Sequence, residues 1–262
     1  MINLLRSDFY RLFRSKAFYI CIVIWTFLFA IGAFLAKWLN EIVAKSQNLN
    51  TVPELSFHSG MAYGLTVLND SNMSLFMAIF IAIFVTAEFT HGTMKNSVSK
   101  GFSKIQIYLS KFITMSGAVY LTILILFLSG LITGTIVSGN FLDTSENFAI
   151  KAIGMIGMEL LLYAALTSVF VMIAMVIRNN GGTIAVNIIG MLFAPFIYQL
   201  LDVFFSPAKS FSQYSLQNNI IFAHYNIEKT GGEILTTILV GVVFLVVSMA
   251  IGLFAFKNTD IK

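Results

Sequence analysis

From residue 17 to residue 36 the chain runs for twenty residues, AFYICIVIWTFLFAIGAFLA, without a charged side chain. A helix of that length spans the roughly 30 Å hydrocarbon core of a bilayer. Within lipid, only a helix lets an isolated segment satisfy every backbone N–H and C=O internally. Comparable apolar runs follow at 72–90, 112–137, 153–177, 183–200 and 234–256. Charged residues make up 11% of the chain, where a soluble domain carries about a quarter. These features predict an all-α integral membrane protein: one domain over 1–262, six transmembrane helices and no internal repeat. The first run is longer than a secretory apolar core, and Lys37-Trp38 stands where a small-residue cleavage site would be needed, so it reads as a retained span.

The basic residues orient the bundle. With the runs as spans, Arg6, Arg11, Arg14, Lys16, Lys95, Lys100, Lys104, Lys111, Arg178, Lys257 and Lys262 fall on one side, eleven of the sixteen Lys and Arg. The other side has Lys37, Lys45, Lys151, Lys209 and Lys229. The positive-inside bias places the richer side, with both termini, in the cytoplasm. The formal charge of +4 is thus a topology signal and not a nucleic-acid footprint. Cys21, the sole cysteine, lies within the first run and has no intrachain partner for a disulfide.

Residues 1–14 precede the first span. At 100° per residue, Ile2, Leu5, Phe9, Leu12 and Phe13 converge on one face, with Asn3, Ser7, Tyr10, Arg11 and Arg14 opposite. That pattern describes an amphipathic helix lying in the membrane interface, as a surface anchor or as a docking element for a partner.

Residues 37–71 read as an outer loop, within which 63–68 is apolar enough to return as a short interfacial segment. The second run meets Glu88 after few residues, so its helix is expected to carry Glu88 to the inner interface, where a carboxylate stays hydrated or pairs with a base of the following loop. In the third span Gly117, Gly130 and Gly134 permit close helix contact, and 138–147 is a short outer loop. The fourth span includes Glu159. A carboxylate at membrane depth is a functional-site hypothesis, although Glu159 also lies near enough to the outer end to be hydrated; Gly154 and Gly157 suggest packing against another helix. RNNGG at 178–182 reads as a tight inner turn whose glycines supply positive φ. In the fifth span Asn187 suits an interhelical hydrogen bond or a substrate contact, and Pro195 should bend or end the helix. The segment 202–233 is too apolar for a solvated loop and is expected to form short helices at the outer leaflet.

Catalytic signatures are missing. No G-x-x-x-x-G-K-[ST] phosphate cradle, H-E-x-x-H or G-x-S-x-G occurs. The histidines His58, His91 and His224 are far apart, and Glu88-x-x-His91 lacks the second copy that a di-iron site requires. The chain is therefore not expected to be an enzyme, to bind a metal or to hold a cofactor of its own.

The loop 86–112, TAEFTHGTMKNSVSKGFSKIQIYLSKF, carries Lys95, Lys100, Lys104 and Lys111 against the single acid Glu88. Its Glu88, Gly92, Thr93 and Lys95, then Gly101, Ser103, Lys104 and Lys111, resemble the cytoplasmic loop of type-2 ABC exporter permeases. The order of elements resembles that family along nearly the whole chain: an amphipathic amino-terminal helix, six spans, a basic loop between spans two and three, and an apolar outer segment before span six. Lys104 departs from the arginine the family often has there, and a lysine cannot reproduce a guanidinium fork. The resemblance implies a permease subunit paired with a second, identical or different, in a bacterial cell membrane. Each would rest on a cytosolic ABC ATPase subunit that binds ATP and Mg. It further implies a coupling helix over 93–108 seated on the ATPase, a second contact through Arg11 and Arg14 of the amino-terminal helix, and a third at Arg178. Gly92 would break the chain sharply between span and loop, or serve as a flexible joint. Small outer loops are similar to those of lantibiotic-immunity and cytolytic-peptide exporters, which implies a hydrophobic or amphipathic cargo, with Glu159 and Asn187 as the buried polar groups on its path. The alternative is a non-transporting scaffold or sensor that binds a cytosolic partner through the basic loop; a channel is disfavoured because no charged or carbonyl-rich filter is visible.

Overall fold

The computed structural model describes residues 1–46, 59–69, 71–142, 148–205, 210–223 and 230–258. In chain order they form α1 (Ile2–Phe13), α2 (Lys16–Ser46), α3 (Gly60–Leu68), α4 (Ser71–Thr90), α5 (Thr93–Ser99), α6 (Lys104–Ser138), α7 (Phe148–Ile177), α8 (Asn180–Phe205), a 3₁₀ turn (Phe211–Tyr214), α9 (Leu216–Phe222) and α10 (Gly231–Lys257), with no strand among the described residues. Pro53, His58, Lys209, His224, Lys229 and Lys262 lie outside these residues, as do parts of the loops expected at 37–71, 138–147 and 202–233.

Helices α2, α4, α6, α7, α8 and α10 are long and apolar enough to cross a membrane. Their outward faces carry rows of large apolar side chains, among them Val23, Phe27 and Phe34 on α2 and Leu192, Phe193 and Phe196 on α8. A water-soluble monomer does not expose apolar surface on this scale. The protein is a multi-pass membrane protein.

Helices α4 and α7 form the centre, each 61% buried over its most apolar stretch, against 11% for α8. Trp25 and Phe18 of α2 pack on Phe76 and Phe80 of α4, with ring centroids 4.5 and 5.5 Å apart. Helix α10 lies along α7, where Gly241 admits the Leu161 side chain and Ser168 hydrogen-bonds Ser248. Asn187 of α8 donates to the Ala78 carbonyl of α4 at 3.2 Å, the interhelical bond that its sequence position suggested.

The second crossing differs from the expected single run. Helix α3 is no interfacial segment: seven of its nine residues are buried. It packs antiparallel on the far half of α6, with Gly60 against Gly134 and Gly64 against Gly130 at backbone contact. Its start is pinned where Gly60 and Met61 N–H donate to the carbonyls of Asn140 and Phe141. The chain bends at Asn69, and α4 continues toward the opposite end. α3 thus supplies the length that the 72–90 run lacked.

Three further expectations change. The glycines at 181–182 do not make the turn after α7. Arg178 itself takes φ 60°, and Asn179 caps α8 by accepting the Gly182 N–H at 3.2 Å, as an N-cap asparagine does. Of the two outcomes expected at Pro195, the helix does not end there: α8 continues through it to Phe205. Nothing lies within 4 Å of a Cβ built on Gly154 or Gly157, so that face of α7 packs against no described helix.

Because the six long helices alternate in direction, α1, the α4–α6 junction, the α7–α8 joint and the end of α10 all lie at one end of the bundle, here termed the foot. The head carries α3, α9 and the 3₁₀ turn.

Candidate functional site

At the foot, four charged side chains from three elements meet in the interior. Lys111 of α6 is 1% exposed and forms ion pairs with both Asp8 of α1 and Glu88 of α4, themselves 4% and 5% exposed. Glu88 also pairs with Arg11 of α1, whose side chain is 36% exposed. Ser110 donates to the second oxygen of Asp8 at 2.6 Å. Arg11 in addition donates to the Phe84 carbonyl at 3.1 Å and stacks over the Phe84 ring, 4.0 Å from its centroid.

Two carboxylates and two cations make the quartet neutral. Burying ions costs several kcal/mol each, offset only when every charge is paired and hydrogen-bonded. Here Lys111 bridges two acids, and each acid has a second donor. A surface pair contributes little to stability; this one sits where α1, α4 and α6 can meet in a single register, and it fixes that register. Of the two readings of Glu88, the hydrated carboxylate gives way to the paired one: it is enclosed and bound to Lys111, the last base of the loop.

The sequence places Asp8 correctly only in hindsight. It is the sole acidic residue before Glu41, and it stands between Leu4 and Leu12 at i−4 and i+4. Those three are the buried residues of α1, whereas Ile2 and Phe13 of the expected apolar face are exposed. The protein-facing side of α1 is thus rotated about a quarter turn from the stripe that periodicity selects. Of that stripe, Leu12 is fully buried and Phe9 packs against Gly117 of α6.

The other residues singled out above divide into those joined to the quartet's neighbourhood and those on its surface. Arg178 donates to the Met175 carbonyl and lies 5.6 Å from the Phe89 ring; Phe89 in turn meets Phe256 of α10 edge-on at 6.4 Å. Lys104 donates to the Lys257 carbonyl at 2.9 Å, capping the end of α10. Gly92 takes φ 67° and ends α4 with a sharp break, a conformation glycine adopts without a Cβ penalty. Thr93 reaches the Glu88 carbonyl at 3.4 Å. The expected helix over 93–108 is divided: α5 stops at Ser99, Gly101 takes φ 83°, and Ser103 opens α6 with a reciprocal cap to Gln106. The capping box and the left-handed glycine are each strong local stop and start signals. Helix α5 is held by buried Met94, and Lys95 and Lys100 point outward. Arg14 is exposed and bonded to its own helix through Tyr10. His91 is exposed, while the Glu88 carboxylate turns inward to its cations.

A second polar node lies at the head. Glu159 is 1% exposed and accepts from Asn69 at 2.9 Å. The same Asn69 amide donates to the Ile220 carbonyl of α9 at 2.8 Å, and Tyr163 donates to the Leu68 carbonyl at 3.0 Å. Glu159 therefore secures the bend between α3 and α4. Asn187 is distant from it, on a separate cavity. Asn69 was not singled out in the sequence, where it reads as a loop residue.

A family model described as a protein of unknown function (DUF2705) matches residues 70–262. No curated protein matches the chain.

Proposed function

We propose that this chain, which belongs to the DUF2705 family of proteins of unknown function, is the membrane subunit of an ATP-driven exporter. Its energy would come from a separate cytosolic ABC ATPase, and a second permease subunit would complete the pair in a bacterial cell membrane. The cargo class is a hydrophobic or amphipathic molecule such as a lantibiotic or cytolytic peptide, taken from the cell or the inner leaflet.

One observation carries the reading. The buried quartet joins α1, α4 and α6 at the foot, and from this braced base the short helix α5 projects with Lys95 and Lys100 outward. A membrane subunit without a nucleotide site needs a stiff element to receive work from a partner, and a helix set on a braced base transmits a rigid-body shift. The Phe89–Phe256 ring contact and the Lys104 bond to the Lys257 carbonyl extend that bracing to α10.

The test is co-expression with a Walker-motif ATPase encoded beside this chain, followed by purification in mild detergent. The expected result is a stable complex whose hydrolysis is lost when α5 is deleted or Gly101→Pro distorts the α5–α6 joint. A stable complex containing no nucleotide-binding subunit would instead favour the scaffold, and labelling of Lys100 from outside intact cells would overturn the orientation.

A further inference from the structure

Helix α1 turns one side to the bundle and the other outward. Leu4, Asp8 and Leu12 are buried, while Ile2, Arg6, Tyr10, Phe13 and Arg14 are exposed. At 100° per residue these five exposed side chains share an arc of about 120°. Arg6, Tyr10 and Arg14 follow one another at i+4 and form a row along it, with Ile2 and Phe13 flanking the row on the side of Phe9. Arg14 donates to the Tyr10 hydroxyl at 2.7 Å, and Lys16, also exposed, follows in the first turn of α2.

The exposed charge here has one sign. Asp8 is the sole acid before Glu41, and its carboxylate is taken up by Lys111 and Ser110. Glu88, the other acid described at the foot, is buried and paired. Depth places this face beside lipid. Asp8 meets Ser110 of α6 and the next residue, Phe9, meets Gly117, seven residues or about 10 Å farther toward the head. Neighbouring residues that reach points so far apart show that α1 crosses α6, level with the start of the apolar run at 112–137. Ile2 and Phe13, on the Phe9 side, therefore point into the bilayer, alongside the exposed Ile20 and Val23 of α2. An apolar edge alone holds a helix in the interface, whereas uncompensated cations beside it select anionic lipid.

We propose that the outward face of α1 binds anionic phospholipid, with Arg6, Arg14 and Lys16 on the headgroup phosphates and Ile2 and Phe13 among the acyl chains. The inference does not rest on the exporter reading, and it gives Arg14 to lipid and not to a cytosolic partner.

The full chain, purified in mild detergent without any ATPase, is titrated with phosphatidylglycerol and separately with phosphatidylcholine, and bound lipids are counted by native mass spectrometry. The expected result is phosphatidylglycerol held about tenfold more tightly or better. Arg6→Gln should cut that preference about fivefold, the share of one basic residue at an anionic surface. Arg6→Gln combined with Arg14→Gln and Lys16→Gln should abolish it; the single variant serves even if the triple change disturbs folding. Lys95→Gln with Lys100→Gln, on and beside α5, should leave the preference unchanged. Equal retention of the two lipids by the unmodified protein would overturn the inference. A preference kept by the triple variant would do so too, and if that variant lost a co-expressed ATPase instead, the face would belong to a protein partner. Full displacement of the lipid by glycerol 3-phosphate would reduce the face to a site for free anions and equally overturn it.

Discussion

Lys111 is the residue on which the foot depends most, because it is the one cation shared by two buried acids. Replacing it by methionine keeps the packing volume and leaves Asp8 and Glu88 facing each other with only the partly exposed Arg11 to balance them. Removing one partner of a buried pair costs about 3–5 kcal/mol, so Lys111→Met should lower the thermal midpoint in detergent markedly. Adding Asp8→Asn removes the orphaned charge and leaves Glu88 with Arg11, and most of the loss should return. A double-mutant cycle read by size-exclusion fluorescence measures that coupling; additive losses would show that the quartet is not one unit. The chemistry of these four residues is visible in the sequence as types, but their meeting is not. Asp8 and Lys111 are about a hundred positions apart, and hydrophobic periodicity reports which side of α1 is apolar without telling lipid-facing from protein-facing. In a soluble helix the apolar stripe is the buried one. In α1 the carboxylate faces the protein.

At the scale of elements, the apolar runs marked all six long helices, because the dielectric of the bilayer makes run length almost sufficient evidence. What escaped was whatever depends on contact between runs. Helix α3 was legible as an apolar stretch, yet the polar residues from Asn69 onward read as loop, and only Glu159, ninety positions away, turns Asn69 into a joint inside the bundle. Glycines show the same division. Those of α6 announced close packing, and Gly60 and Gly64 of α3 supply the matching surface. Those of α7 at 154 and 157, three apart where the others are four, meet none of the described residues. The contrast is testable. A Cβ at Gly60 would lie 2.6 Å from the Leu131 carbonyl and 2.8 Å from the Thr135 nitrogen, both backbone atoms that cannot step aside. Gly60→Ala should therefore cost about 1–3 kcal/mol through overpacking. Gly154→Ala should cost nothing and gain part of the roughly 1 kcal/mol that separates the two residues in a helix interior. Thermal unfolding of both variants in one detergent decides the matter, and equal effects would refute the α3–α6 contact.

Over the whole molecule, the buried charged side chains of the described residues are concentrated at the two ends. The quartet lies at the foot and the Glu159–Asn69 node at the head. That separation predicts that the exposed surface of α5 can be altered without disturbing either buried node. Lys95→Glu with Lys100→Glu reverses two exposed charges on and beside α5 and touches no buried group. Its thermal midpoint should match that of the unmodified protein, since exposed changes of this kind have small effects on stability. On the proposed exporter reading, recovery of the co-expressed ATPase on the purified chain should fall, and the loss should ease as salt screens the reversed charges. If the charge reversal left ATPase recovery untouched at low salt, α5 would not be the docking element, and the braced foot would have to serve a different partner.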